Sequence, residues 1–239
     1  MTTLPRSPLR AADRPLYLWG GVVAAAIVFA GFARTFYLKG LFDTPALSGL
    51  LALHGTIMSL WLALFLVQGR LVASGRTDLH RRLGTFGMVL FALVLGIGCV
   101  TAVDAARRGV SPAPGISALS FMAVPMVDLV VFALLVGAAL WNRRKPATHK
   151  RLMLIGTLSI LAPGIARIPF PFIRQGGLPV IFGLTVLAVL VFVVADTVRQ
   201  RRLHPACGWG AALVAVSVPV RVMIAGSPAW IRFATWLVS

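Results

Sequence analysis

Hydrophobic residues in this chain come in long unbroken runs, not in the alternation of a strand or the narrow stripe of a surface helix. The runs cover about residues 15–33, 46–69, 83–103, 116–141, 151–168, 178–198 and 207–226, separated by polar, basic or proline-containing breaks. Each is close to the ~20 residues that take a helix across a bilayer, where a helix satisfies its own backbone. The pattern therefore predicts an all-α, polytopic transmembrane bundle of about seven spans. Pro163-Gly164 makes the fifth run the least regular. Pro125 and Pro219 fall inside the fourth and seventh, where neighbouring groups must take up the freed carbonyls. Residues 1–14 read as a polar, basic tail, 15–226 as the transmembrane domain, and 227–239 as an interfacial segment with Trp230, Phe233 and Trp236 around Arg232. Gly31-Phe32-Ala33 has the form of a cleavage site, yet nineteen uncharged residues precede its end. That exceeds the ~7–15 of a signal-peptide core, so an uncleaved first helix is expected.

One unit of the pattern occurs twice. His80-Arg81-Arg82-Leu83 with Gly87 returns 69 residues later as His149-Lys150-Arg151-Leu152 with Gly156, each time opening an apolar run after a basic loop. Arg201-Arg202-Leu203-His204 is a weaker third echo. The expected reading is a set of parallel repeated hairpins, spans 2–3, 4–5 and weakly 6–7. Asp78 and Thr148 are the expected N-caps ahead of the two histidine motifs. Gly84, Gly87, Gly96 and Gly98 in the third run offer close helix contacts.

Composition agrees: 59% of residues are hydrophobic and 12% charged, against about 25% charged in soluble domains. A net charge of +17 suggests nucleic acid in a soluble protein, but here the cations lie between apolar runs, which excludes that partner. Cations opening a helix oppose its dipole, so the basic loops are read as ligands for anionic headgroups at the cytoplasmic face. Of the 23 Lys and Arg residues, fifteen fall on one side if the N-terminus is inside. The positive-inside rule then puts the N-terminus in the cytoplasm and the C-terminus outside a bacterial inner membrane. Cys99 and Cys207 fall at opposite ends of their runs, too far apart for a disulfide.

Candidate chemistry starts with His54, which shares one helical stripe with Trp61 and Gln68. A polar stripe of this kind faces protein. His54 is either a neutral histidine bonded to another helix, or a ligand to haem or metal, or a hydrogen-bonder to quinone. Met122, Met126 and Tyr37 are the other candidate haem ligands near its depth. Asp128, well inside the fourth run, needs a partner, with Arg221 and Arg167 available. Arg34, Tyr37, His54, Asp128 and Arg221 are read as an outward-facing pocket or a structural polar network. His80, His149 and His204 occupy equivalent cytoplasmic positions on three helices, as interface residues or as a metal or haem site. Walker, G-x-G-x-x-G, C-x-x-C and H-E-x-x-H motifs are absent, and so is glutamate, which argues against a hydrolase.

His54, Gln68 and His80-Arg81-Arg82-Leu83-Gly84 together resemble a broad group of uncharacterised bacterial multipass membrane proteins with this His…Gln…His-Arg-Arg-Leu-Gly signature. The resemblance covers about residues 30–100 and implies a helical bundle of four to seven spans. Helix number and histidine placement give a more distant similarity to membrane b-type cytochromes, which implies haem b. The expected function is that of an accessory or assembly partner in a membrane complex. The alternatives are a haem- or quinone-linked redox protein and a small proton-coupled transporter using Asp128.

Overall fold

The computed structural model describes residues 14–239, with side chains from Pro15 onward, and the tail carrying Arg6 and Arg10 lies outside the described residues. Among the described residues there are helices and no strands. The long elements are α1 (Arg14–Phe32), α2 (Gly49–Ala73), α3 (Thr77–Arg107), α5 (Ala123–Trp141), α6 (Pro146–Ser159), α8 (Pro171–Gln200) and α9 (Pro205–Ala225). The short ones are α4 (Ala118–Phe121), α7 (Ala162–Ile165) and α10 (Pro228–Val238), and a π turn (Ala33–Tyr37) extends α1. Six helices are long and apolar enough to cross a membrane, which makes the protein a membrane helical bundle. The fifth predicted run is the exception. It folds as α6 and α7 with a break at Ile160-Leu161, and neither piece has the length of the six.

Local signals set the boundaries. Ser48, Ser117 and Ser227 accept hydrogen bonds from Leu51 N, Ser120 N and Trp230 N, and so cap α2, α4 and α10. Proline occupies the first turn of α6, α8, α9 and α10, where its missing N–H costs nothing. Pro125 cannot donate to the Phe121 carbonyl, and the chain breaks there into α4 and α5. α8 bends at Gly177, whose φ of 55° and ψ of −148° suit only a residue without Cβ, so its apolar stretch starts at Leu178.

Asp78 and Thr148 are not N-caps. The helices begin earlier, at Thr77 and Pro146, behind Arg76 and Lys145, neither of which makes a side-chain cap bond. His80 and His149 are therefore each the fourth residue of their helix, whereas His204 stands outside α9 as its N-cap. Asp78 still places a carboxylate in the first turn of α3, where the dipole favours it.

α6 lies at the centre. From Arg151 to Ser159 all of its residues except Met153 are buried, enclosed by α1, α5, α8 and α9. Leu152, Leu154, Ile155 and Leu158 pack with Leu135, Val189 and Val214 in the main core. A second cluster, Trp61, Leu90, Val94 and Phe132, joins α2, α3 and α5. In the third, Ala102, Ala106 and Met122 lie beneath Ala234 of α10. Trp230 Nε1 donates to Leu119 O (2.8 Å) and Arg107 Nε to Val238 O (3.0 Å), which pins α10 to the end of the bundle.

Candidate functional site

Polar side chains gather at the two ends of the bundle. The start of α1 and the turns α2/α3, α5/α6 and α8/α9 share one end, because Tyr17, His80, His149, Arg151 and Asp196 meet across them. Asp196 is the hub. Arg151 donates Nε to Oδ2 at 2.7 Å and Nη2 to Oδ1 at 3.1 Å, Tyr17 donates to Oδ1 at 2.6 Å, and the Cys207 thiol lies 3.6 Å from Oδ2. Four helices, α1, α6, α8 and α9, are thus tied through one buried carboxylate. Arg151 also donates Nη1 to Ala147 O, and Lys150 lies 4.5 Å from the Tyr17 ring centroid. Within the His149-Lys150-Arg151 motif, Arg151 is buried and turned inward, so it is not among the cations that face the headgroups. The network went unread because its members sit at the ends of apolar runs, where Arg and Asp pass for loop residues. The signal was Asp196, the one charged residue in the apolar run 178–198.

Near the other end Asp128 of α5 receives Arg221 Nη2 of α9 at 2.6 Å, and the guanidinium lies over Phe182 of α8 at 4.3 Å. The predicted partnership of Asp128 with Arg221 forms, while Arg221 Nε is buried without a partner. The remainder of the predicted pocket does not join it through any bond. Tyr37 bonds Ser59 (2.8 Å), Arg34 lies over Phe42 (5.1 Å), and Arg167 lies over Phe32 (4.5 Å). Met122 and Met126 belong to the cluster beneath α10.

The His54–Trp61–Gln68 stripe of α2 does face protein. Trp61 is buried and donates Nε1 to Thr157 Oγ1 of α6 (3.3 Å). His54 Nδ1 and Gln68 Oε1 are sealed from solvent with no hydrogen-bond partner among the described residues. Gln68 approaches Gly84 of α3, whose missing Cβ would lie 3.8 Å from Nε2.

The three basic-end histidines separate into a pair and a single. His80 and His149 are in ring contact, with centroids 6.4 Å apart and planes at 79°. His149 Nδ1 donates to Ala139 O (2.8 Å), the ring of His80 lies beside the Gln68 backbone, and His80 Nδ1 is buried without a partner. His204 instead accepts the Ala206 N–H through Nδ1 (3.1 Å). Burial first, and then the Arg151 guanidinium, hold it below the ordinary imidazole range. A three-histidine metal site is therefore not formed, and among the described residues no three His, Cys, Asp or Glu side chains group as metal ligands. Cys99 and Cys207 are both free.

Comparison with protein-family models, with curated proteins and with solved structures returned no match. Functional inference consequently rests on the geometry.

Proposed function

We propose that this protein is an accessory or assembly partner within a bacterial inner-membrane complex, holding its partner by a helix–helix contact on α3. The supporting observation is Gly96. Of the four glycines expected to serve close contacts in the third run, Gly98 faces Leu129, Gly87 faces Leu64 and Gly84 faces Gln68, all inside the bundle. Among the described residues nothing outside its own helix turn lies within 4 Å of where a Gly96 Cβ would stand, and it lies with exposed Ala92 one turn earlier on the outer face. A glycine inside a helix costs about 1 kcal/mol relative to alanine. Lipid gives nothing back for that cost, whereas a second helix does, because small residues four apart let backbones approach closely. Gly137 of α5 and Gly183 of α8 are open as well, but Gly183 has Pro179 and Leu187 four residues away, which make no such groove, and Gly137 with Ala133 is half-buried where Gly96 with Ala92 is exposed. Both buried carboxylates are held by arginines of other helices, which suits a rigid partner better than a proton-coupled carrier.

The reading includes a cytoplasmic N-terminus, a periplasmic C-terminus and α6–α7 as a seventh, protein-enclosed crossing. A photo-crosslinking side chain at position 92 in native membranes is the test of the partner face. One discrete adduct with a different protein is expected, lost in Gly96→Leu while the melting temperature of the bundle is unchanged. Adducts with lipid alone, or only with a second copy of the chain, would overturn the accessory reading.

A further inference from the structure

His80 and His149 combine three features that structural packing does not need. They come from separate helices at the same helical position, their ring centroids lie 6.4 Å apart, and on the His80 side two buried acceptors lack partners among the described residues. The proton of neutral His149 is on Nδ1, because a carbonyl oxygen only accepts, and so Nε2 carries the lone pair. A ring nitrogen given to a backbone carbonyl while the other stays basic is how metal-binding imidazoles are oriented. His80 Nδ1 and Gln68 Oε1 are buried acceptors with nothing to accept from. Buried acceptors without donors mark a place that a bound ion or an ordered water would complete, and the imidazole pair beside them favours an ion.

Charge selects which cation. The available donors, two imidazoles and one amide, are neutral, and Arg81, Arg82, Arg143, Arg144 and Lys145 lie nearby in the chain, all exposed. Asp78 is two residues from His80, on a different side of α3. A divalent ion would bring two charges to a membrane site with no anionic ligand to offset them. A monovalent ion brings one. Imidazole suits copper, and monovalent copper accepts two nitrogen ligands in a near-linear arrangement. With metal–nitrogen bonds of about 2.0–2.1 Å, two imidazoles on such an ion have centroids about 6.3 Å apart at any twist. The observed separation is 6.4 Å.

We propose that His80 and His149, with Gln68 beside them, form a binding site for a single Cu(I) ion near the basic end of the bundle. The site is independent of the α3 partner face. The test uses the full-length protein in detergent, reduced and anaerobic, with Cu(I) offered against bicinchoninate as competing chelator. About one Cu(I) per chain is expected, with copper-edge absorption showing two nitrogen ligands. His80→Asn and His149→Gln should each weaken retention at least tenfold, and His54→Ala should leave it unchanged. His149 supports the Ala139 carbonyl and His80 bonds the Gln68 backbone, so retention is compared only in variants that keep the wild-type melting temperature, and His80→Asn decides, because its Nδ1 makes no bond. Complete surrender of copper to the chelator, unchanged retention in His80→Asn, displacement by Zn(II), or a haem Soret band dependent on these histidines would each overturn the site.

Discussion

Arg151 and Asp196 lie 45 residues apart in the chain and meet through two hydrogen bonds, with side chains 4% and 1% exposed. Removing one member strands the other as a buried charge. Arg151→Ala or Asp196→Ala should each cost about 3–5 kcal/mol, read from thermal unfolding in detergent. Replacing the pair together, Arg151→Met with Asp196→Leu, should recover most of that loss. A double variant no more stable than the worse single would remove the pairing argument.

Gly31 makes the closest backbone approach of the described glycines. A Cβ there would lie 2.0 Å from the Gly164 carbonyl oxygen, a backbone atom that cannot swing aside. Gly31→Ala should therefore lower stability by about 1–3 kcal/mol, the range for forcing volume into a packed contact. Gly96→Ala, in open space, is the control and should raise the unfolding midpoint in detergent, by about 1 kcal/mol of helix propensity at most.

Trp61 carries both area and a bond. Its ring packs edge-on to Phe132 with centroids 5.1 Å apart, and Nε1 reaches Thr157. Trp61→Phe keeps most of the packing and should cost about 0.5–1.5 kcal/mol, since Thr157 retains Met153 O as acceptor. Trp61→Ala should cost about 3–5 kcal/mol. Equal losses for the two would mean that the ring area is not what matters.

His204 gives the α9 cap a pH dependence with a definite sign. Its folded-state proton affinity is depressed, mainly by burial and then by Arg151. The unfolded chain therefore binds the proton more readily, and stability should be full above the ordinary imidazole range and fall as pH drops through it. Protonating Nδ1 also ends its acceptance of the Ala206 N–H. His204→Asn, a good cap that does not titrate, should flatten this part of the profile. An acid slope unchanged in that variant would assign it to another group.

Orientation has its own check. Reporter fusions after Arg82, Arg144 and Arg202 should read as cytoplasmic, and those near Pro112 and Gly176 as periplasmic. A periplasmic signal at any of the first three would sink the proposed topology.

Membrane character and most helix positions were legible because hydrophobic runs report directly on lipid exposure. Pro15–Ala33 was expected and α1 ends at Phe32; Leu178 was expected as a start and the chain bends at Gly177. Periodicity does not say which apolar helix is enclosed by the others. α6 read like its neighbours, although Gly156, Thr157 and Ser159 were small and polar enough to mark a helix without lipid contact. Side-chain direction at the termini was equally hidden. Lys150 and Arg151 are adjacent, yet one lies over Tyr17 and the other is buried on Asp196. The Asp128–Arg221 pair was legible because both residues interrupt apolar runs. The pairing of His80 with His149 was visible only as a motif repeated after 69 residues, and His204 shares neither that spacing nor the helix position.

Enclosure of α6 also has a consequence for biogenesis. Its sequence, Pro-Ala-Thr-His-Lys-Arg followed by a short apolar stretch, is too polar and too brief to settle in lipid unaided. As the chain leaves the ribosome, Arg151 emerges well before Asp196, and in that interval its charge has to remain among the headgroups. Only when α8 arrives can the guanidinium move inward. α6 thus takes its enclosed place after a helix made later than itself, and the order of synthesis and the order of folding differ at this point in the chain.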